Sequence, residues 1–339
     1  MHSQTSVQKF SLMHWWLSSL LVLMVTLGSS SVLAEQAGNK VSPIAVPNPG
    51  ADLWNEVRQR NAESNGRTQI RGTDSAEFMR VSGEEFRDYR LSLLIPYAPY
   101  FLVGMLVLLA ATFIVKGRIK IPDGRSGQVI KRFETFDRVV HWYVAILFIF
   151  LALTGLLLLL GRYAVLPVFG KEAFGLIASA CKEGHNLFGP PFLVGIVLMA
   201  MRFAAKNIPN MVDVKWLLKA GGAFGGHPQA GYFNAGEKIW FWLVTIIGLG
   251  LCVSGLILLF PNFEQGREYL QWALVAHGVG AVVLITLSFG HMYVGSVGME
   301  GSLDSMSTGY VDSNWAKSHH DLWYQEVMQR QSADNPKSS

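Results

Sequence analysis

Residues 272–297 read WALVAHGVGAVVLITLSFGHMYVGSV, with no lysine, arginine or carboxylate among them. As an α-helix this run is about 39 Å long, enough to cross a hydrocarbon layer about 30 Å thick. It carries two histidines, His277 and His291. Fourteen residues of helix span about 21 Å and bring the two rings back to within roughly 40° of one face. Ionisable rings inside an apolar span turn toward other protein segments and away from lipid. The helix therefore offers one histidine-bearing face, at two depths, to neighbouring helices.

Working outward, four further apolar runs of spanning length occupy 94–115, 139–160, 187–204 and 239–260. Half of the 339 residues are hydrophobic and 15% are charged, a balance in which water cannot be the solvent for most of the chain. The expected fold class is an all-α integral membrane protein. The net charge of +4 is small, and the basic residues gather beside apolar runs instead of forming a stripe. That distribution speaks for membrane topology and against a nucleic-acid partner.

The amino terminus reads as a signal peptide over 1–34, with Lys9 before an apolar run and Val32-Leu33-Ala34 offering a cleavage site. A polar segment, 35–90, follows, rich in Pro, Asn, Gly and alternating charge. Lys116, Arg118, Lys120, Arg125, Lys131, Arg132 and Arg138 lie between the first two spans, and Arg202, Lys206, Lys215, Lys219 and Lys238 around the connection of the third and fourth. Those loops are expected to face the cytoplasm. The opposite side has Arg162, Lys171 and Lys182 in a loop over 161–184, and Arg267 in the other loop. An exported 35–90 segment and a cytoplasmic tail follow from the same odd number of spans, in a bacterial inner membrane.

On that topology His141 lies near the cytoplasmic start of the second span and His185 near the periplasmic start of the third. Depth pairs His141 with His291 and His185 with His277. Neutral imidazoles from facing helices can fill both axial positions of a haem iron, so the pairing predicts two bis-histidine haem b sites stacked across the bilayer. One intramembrane histidine is more often a packing or proton-path residue than a ligand; four at matching depths favour ligation. Pairs separated by most of the membrane do not build one tetrahedral zinc site. Cys181 and Cys252 are too few for an iron-sulfur cluster, and the absence of Cys-x-x-Cys-His argues against covalent haem. His2, His14 and His227 are not needed for a ligand set. No catalytic triad, phosphate-binding glycine loop or convergent carboxylate pair occurs, which places substrate chemistry on other chains.

From about Phe133 to Gln329 the chain resembles the gamma subunits of formate dehydrogenase, the di-haem cytochrome b membrane subunits of respiratory formate dehydrogenases. The motifs are Phe136-Asp137-Arg138 with His141-Trp142, Arg202-Phe203, Asn207-Ile208-Pro209, Tyr232-Phe233-Asn234-Ala235-Gly236-Glu237-Lys238, the His277 to His291-Met292-Tyr293 spacing, and Trp315-Ala316-Lys317-Ser318-His319-His320 with Trp323-Tyr324. The last is polar, so shared apolarity would not produce it. The resemblance implies that His141, His185, His277 and His291 are the axial ligands. It implies that Asn234, which by itself reads as a helix cap, lines a pocket for menaquinone or ubiquinone near His291. It also implies two partners, a catalytic subunit carrying molybdenum or tungsten on pterin and an iron-sulfur subunit that feeds the periplasmic haem.

The expected organisation is a signal peptide (1–34), a periplasmic polar segment (35–90), an additional transmembrane helix (91–116), a cytoplasmic basic linker (117–132), a four-helix di-haem domain (133–298) and a cytoplasmic tail (299–339). The expected function is electron transfer to quinone in anaerobic respiration, with formate oxidised on a partner. The alternatives are the cytochrome b subunit of a nickel-iron hydrogenase or thiosulfate reductase, and a membrane anchor without redox activity.

Overall fold

The computed structural model describes residues 86–222, 228–261 and 266–334. The expected signal peptide, nearly all of the 35–90 segment, and His2, His14 and His227 lie outside the described residues. Among the described residues five helices are long and apolar enough to cross a membrane. They are α1 (Phe86–Lys116), α2 (Thr135–Ala164), α3 (Leu166–Phe203), α5 (Ala235–Leu259) and α6 (Arg267–Tyr293), with a short α4 (Met211–Leu218) between the third and fourth. Helix α2 packs on α3, α3 on α5, α5 on α6, and α6 back on α2, closing a four-helix bundle. Helix α1 lies outside it, against α6.

The stripe by which α1 attaches is Ile95, Ala98 and Leu102, one helical face of buried residues. Leu94 fills the hollow left at Gly278 of α6, where an added Cβ would come within 2.7 Å of Leu94 Cδ2. Tyr89 meets Trp272, with ring centroids 5.5 Å apart. The start of α1 thus lies beside the start of α6, and the two run in the same sense. Helix α1 already includes Phe86 to Arg90, so the last residues assigned to the polar segment are helical.

In lipid, apolar side chains gain little by meeting each other, and close packing holds helices together. Small residues supply it here. A Cβ on Gly195 would sit 2.9 Å from Tyr143 and Val144 of α2, and one on Gly248 of α5 would sit 3.2 Å from Ile196 of α3. Ile196 is consequently sealed, in a cluster with Val144, Leu147, Phe192 and Cys252.

The 161–184 stretch is not the loop expected of it. Helix α2 runs to Ala164, and α3 runs from Leu166 for 38 residues, broken only at Gly170, whose φ of 77° leaves the helical region. From Lys171 onward α3 is about 50 Å long, longer than the hydrocarbon layer. Lys171, Glu172, Lys182 and Glu183 end the apolar run without ending the helix, because hydropathy reports what solvates a segment and not its backbone conformation.

Residues 117–132 and 299–334 fold together as a cap on one end of the bundle. Strand β1 (Val129–Lys131) pairs antiparallel with β2 (Tyr310–Asp312), in the register Val129↔Asp312, Ile130↔Val311 and Lys131↔Tyr310. Around this ribbon lie α7 (Ser302–Ser307), α8 (Ser313–His319) and α9 (Asp321–Asp334). Ile121, Ile130, Val311, Trp315, Ala316 and Trp323 form the core of the cap. The expected linker and tail are therefore two halves of one structure. Asp312 fastens its corner, accepting from Gly127 N at 3.1 Å, Ser126 Oγ at 3.1 Å and Asn314 N at 2.8 Å.

Candidate functional site

Two pairs of histidines face each other inside the bundle. His141, two turns into α2, meets His291 near the end of α6, with ring centroids 6.3 Å apart and planes at 57°. His185 of α3 meets His277 of α6, at 6.0 Å and 73°. The first pair lies at the capped end and the second at the far end, because α6 separates His277 from His291 by about 21 Å. Metal–imidazole bonds are about 2 Å long, and a ring nitrogen lies roughly 1.1 Å from its ring centre, so two rings on opposite sides of one metal have centres about 6.2 Å apart. Both pairs meet that spacing. The donors are imidazoles alone, and among the described residues no group of three or more metal-binding side chains forms. Two nitrogens per site suit a metal whose other positions are filled by a macrocycle, which is what haem provides.

The surroundings of the two pairs differ. At the far end, Thr154 Oγ1 lies 2.9 Å from His185 Nδ1, and Ser254 Oγ lies 3.1 Å from His277 Nδ1. Gly155 and Gly255 let the rings lie against α2 and α5, since a Cβ at either would stand 3.2 Å from the imidazole Cε1. At the capped end His141 Nδ1 is buried without a partner. His291 instead stacks on Trp240, with centroids 4.8 Å apart and planes at 15°.

Asn234 is the N-cap of α5 in a reciprocal capping box. Its Oδ1 accepts from Glu237 N at 2.9 Å, and Glu237 Oε2 accepts from Asn234 N at 2.9 Å. The cap occupies the side-chain oxygen and leaves the Nδ2 donors to other partners. Trp240, which covers His291, lies about 9 Å further along the same helix.

Several basic residues read from sequence as topology markers are held in ion pairs. Arg132 is buried in the cap, with Nη2 donating to Tyr232 O at 2.9 Å and to Glu237 Oε1 at 3.0 Å. Its guanidinium lies within 5.1 to 5.9 Å of the rings of Phe133, Tyr232, Phe233, Trp315 and Trp323. Lys238 is buried against Asp213 at 2.7 Å, and Arg202 pairs with Asp137. His320, sealed beneath the cap, donates from Nδ1 to Gly231 O at 2.8 Å and lies 3.7 Å from Glu237. Burial, with the Arg132 charge beside it, pushes its pKa down to about 3, so it is neutral at physiological pH. Burial likewise raises the Tyr232 phenol to about 12.

Sequence reasoning named the four histidines and Asn234 but missed Thr154, Ser254 and their glycines. A signal for them exists. Residues 133–159 match residues 233–259 without a gap, one hundred positions apart: Phe133 with Phe233, Asp137 with Glu237, Trp142 with Trp242, Leu151 with Leu251, and Thr154-Gly155-Leu156 with Ser254-Gly255-Leu256. The structure repeats accordingly. Trp142 Nε1 donates to Met306 O beyond α6, and Trp242 Nε1 donates to Asn207 O beyond α3, both at 2.9 Å.

The profile of the prokaryotic cytochrome b561 family matches residues 132–309, which contain all four histidines and exclude α1. The cytochrome b556 subunit of the nitrate-inducible formate dehydrogenase of Escherichia coli K12 is 32% identical over 209 residues, 60% of this chain and 93% of the relative. A second formate dehydrogenase cytochrome b556 subunit of that organism is 29% identical over 203 residues, 58% of this chain and 93% of its own length. The counterpart from Haemophilus influenzae is 28% identical over 215 residues, 62% and 87% of the two chains. A closed bundle of apolar helices, two facing histidine pairs and these matches agree: the chain belongs to the prokaryotic cytochrome b561 family and is a relative of the cytochrome b556 subunits of formate dehydrogenases.

Proposed function

We propose that the chain is the cytochrome b subunit of a respiratory formate dehydrogenase, receiving electrons from an iron-sulfur subunit at the His185/His277 end and delivering them to quinone at the His141/His291 end. The observation that carries this reading is the two histidine pairs, each at the spacing of a bis-imidazole metal, at opposite ends of one bundle. Haem b held there supplies reversible one-electron chemistry at iron. The chain's own residues supply the rest. The four imidazoles would hold the two haem irons, and the packed helices hold the rings of each pair facing each other at that spacing. Placing ligands at two depths divides a crossing that an isolated charge could not make through hydrocarbon.

The cap is the cytoplasmic end in this reading, and 35–90 and the far end are periplasmic. The loop charge asymmetry supports this, as does the common sense of α1 and α6 expected of the first and last of five spans. The partners are a pterin-based molybdenum or tungsten subunit, where formate is oxidised, and the iron-sulfur subunit. Asn234 Nδ2 donates to a quinone carbonyl beside His291; the reading is supported by a cap that uses only Oδ1.

The test is haem content and spectrum in the purified complex. Ala at His185 or His277 is expected to remove one of two haems b and leave the other, and Ala at His141 or His291 to do the reverse. Two haems remaining after any one replacement would remove that residue from the ligand set. Asn234→Ser keeps an N-cap oxygen while removing the amide donor. It is expected to leave both haems reducible by formate while quinone turnover falls severely; unchanged quinone turnover would leave Asn234 a cap only.

A further inference from the structure

The hydrogen-bonding state of the far-end histidines can be worked out atom by atom. Thr154 Oγ1 lies 2.9 Å from Phe150 O and 3.2 Å from Leu151 O, and Ser254 Oγ lies 2.8 Å from Gly250 O and 3.1 Å from Leu251 O. A carbonyl only accepts, so each hydroxyl spends its one proton on the helix backbone. What remains toward His185 and His277 is an oxygen lone pair. In that arrangement each imidazole is the donor, with its proton on Nδ1. His277 gives independent support, because its Nδ1 is also 3.1 Å from Leu251 O, which cannot donate. The proton on Nδ1 leaves the Nε2 lone pair of both rings free for a metal.

Both anchors occupy one position of the internal repeat, Thr154-Gly155 on α2 and Ser254-Gly255 on α5. The glycine brings each ring against its helix, and the hydroxyl one residue earlier meets Nδ1. The far-end pair is therefore built alike from both sides. The capped-end pair is not, since His141 Nδ1 is unpartnered and His291 is covered by an indole face.

We propose that Thr154 and Ser254 are positioning residues that fix the tautomer of His185 and His277 and make both rings stronger electron donors, setting the far-end haem at a lower potential than the capped-end haem. This rests on the haem reading above. A ligating histidine that donates its second N–H is held in orientation and made more basic, and a more basic ligand favours the ferric state. With both ligands so anchored at one site and His141 unanchored at the other, transfer from the His185/His277 pair to the His141/His291 pair runs downhill. One bond pattern thus gives the relay a direction.

The experiment uses the intact, haem-loaded complex and a spectroelectrochemical titration of each haem, with electron paramagnetic resonance as a second readout. Thr154→Val keeps the side-chain shape and removes the acceptor; Ser254→Ala removes the other. Together they are expected to raise the far-end potential by about a tenfold change in its reduction equilibrium, about 59 mV for one electron, with the capped-end potential unmoved. Thr154→Ser and Ser254→Thr restore the acceptor and are expected to return the parent value. Equal far-end potentials in parent and double variant, with both haems present, would overturn the proposal and leave the haem reading standing. Far-end potentials that ignore the acceptor, so that Thr154→Ser behaves like Thr154→Val, would also overturn it. A parent complex lacking two bis-histidine haems would defeat the haem reading itself, and the proposal with it.

Discussion

Replacing Arg132 with methionine tests whether the cap is held by a buried charge pair. The Arg132 side chain is 3% exposed and that of Glu237 is 36% exposed. Breaking a fully buried pair by removing one partner costs about 3–5 kcal/mol, chiefly by stranding the other charge. Glu237 keeps access to water and a hydrogen bond from Asn234 N, which lowers the expectation to roughly 2–3 kcal/mol after discounting for that screening. Methionine retains much of the packing against the five surrounding rings, so lost apolar contact is the smaller part. Amide hydrogen exchange of β1, β2 and α8 in the detergent-solubilised complex reads the effect locally. At about 1.4 kcal/mol per tenfold, protection should fall by roughly 30- to 150-fold. The far-end histidine pair, at the other end of the bundle, should keep its spectrum. The decisive variant is Arg132→Met with Glu237→Gln, which removes the stranded charge and should recover part of the lost protection. A double variant no better protected than the single one would refute the reasoning.

Three other outcomes are expected. His320 is buried neutral, with its pKa lowered to about 3 from about 6.5 when unfolded; the unfolded chain binds the extra proton between those values, so cap stability is full above about pH 6.5 and declines as pH falls through that window. Amide exchange at pH 7.5 and pH 5 should show the loss, and a pH-independent cap would contradict it. Gly309 has φ of 90°, and a Cβ there would lie 2.7 Å from Phe133 O, so Gly309→Ala should cost more than the roughly 1–2 kcal/mol of a left-handed residue and expose β1 to proteolysis; an unchanged cleavage rate would contradict it. Gly255→Ala places a methyl 3.2 Å from His277 Cε1 and should alter the spectrum of the far-end haem alone, whereas a change confined to the other haem would reverse the assignment.

What could be read directly from the sequence was whatever depends on neighbours along the chain. Apolar runs long enough for hydrocarbon mark the spans, because solvation is a property of a segment. Helical geometry places His277 and His291 on one face at two depths, and alternation of the spans supplies their opposite numbers, His141 and His185. The Asn234/Glu237 capping box is likewise local, its ends three positions apart.

The tertiary structure decided what depends on contacts remote in sequence. Lys171 to Gly184 looks like a loop because it is polar, yet it remains helical as the overrun of α3. The basic linker and the polar tail become one cap because Ile130 meets Val311 across 181 positions. Arg132 and Lys238 count as loop charges until their carboxylates, Glu237 and Asp213, are brought to them in space. Thr154 and Ser254 are ordinary hydroxyls of apolar helices on the page of sequence. Only the packing of α3 beside α2 and of α6 beside α5 sets them against His185 and His277, because a hydrogen bond requires atoms within about 3 Å, and no one-dimensional pattern carries that distance.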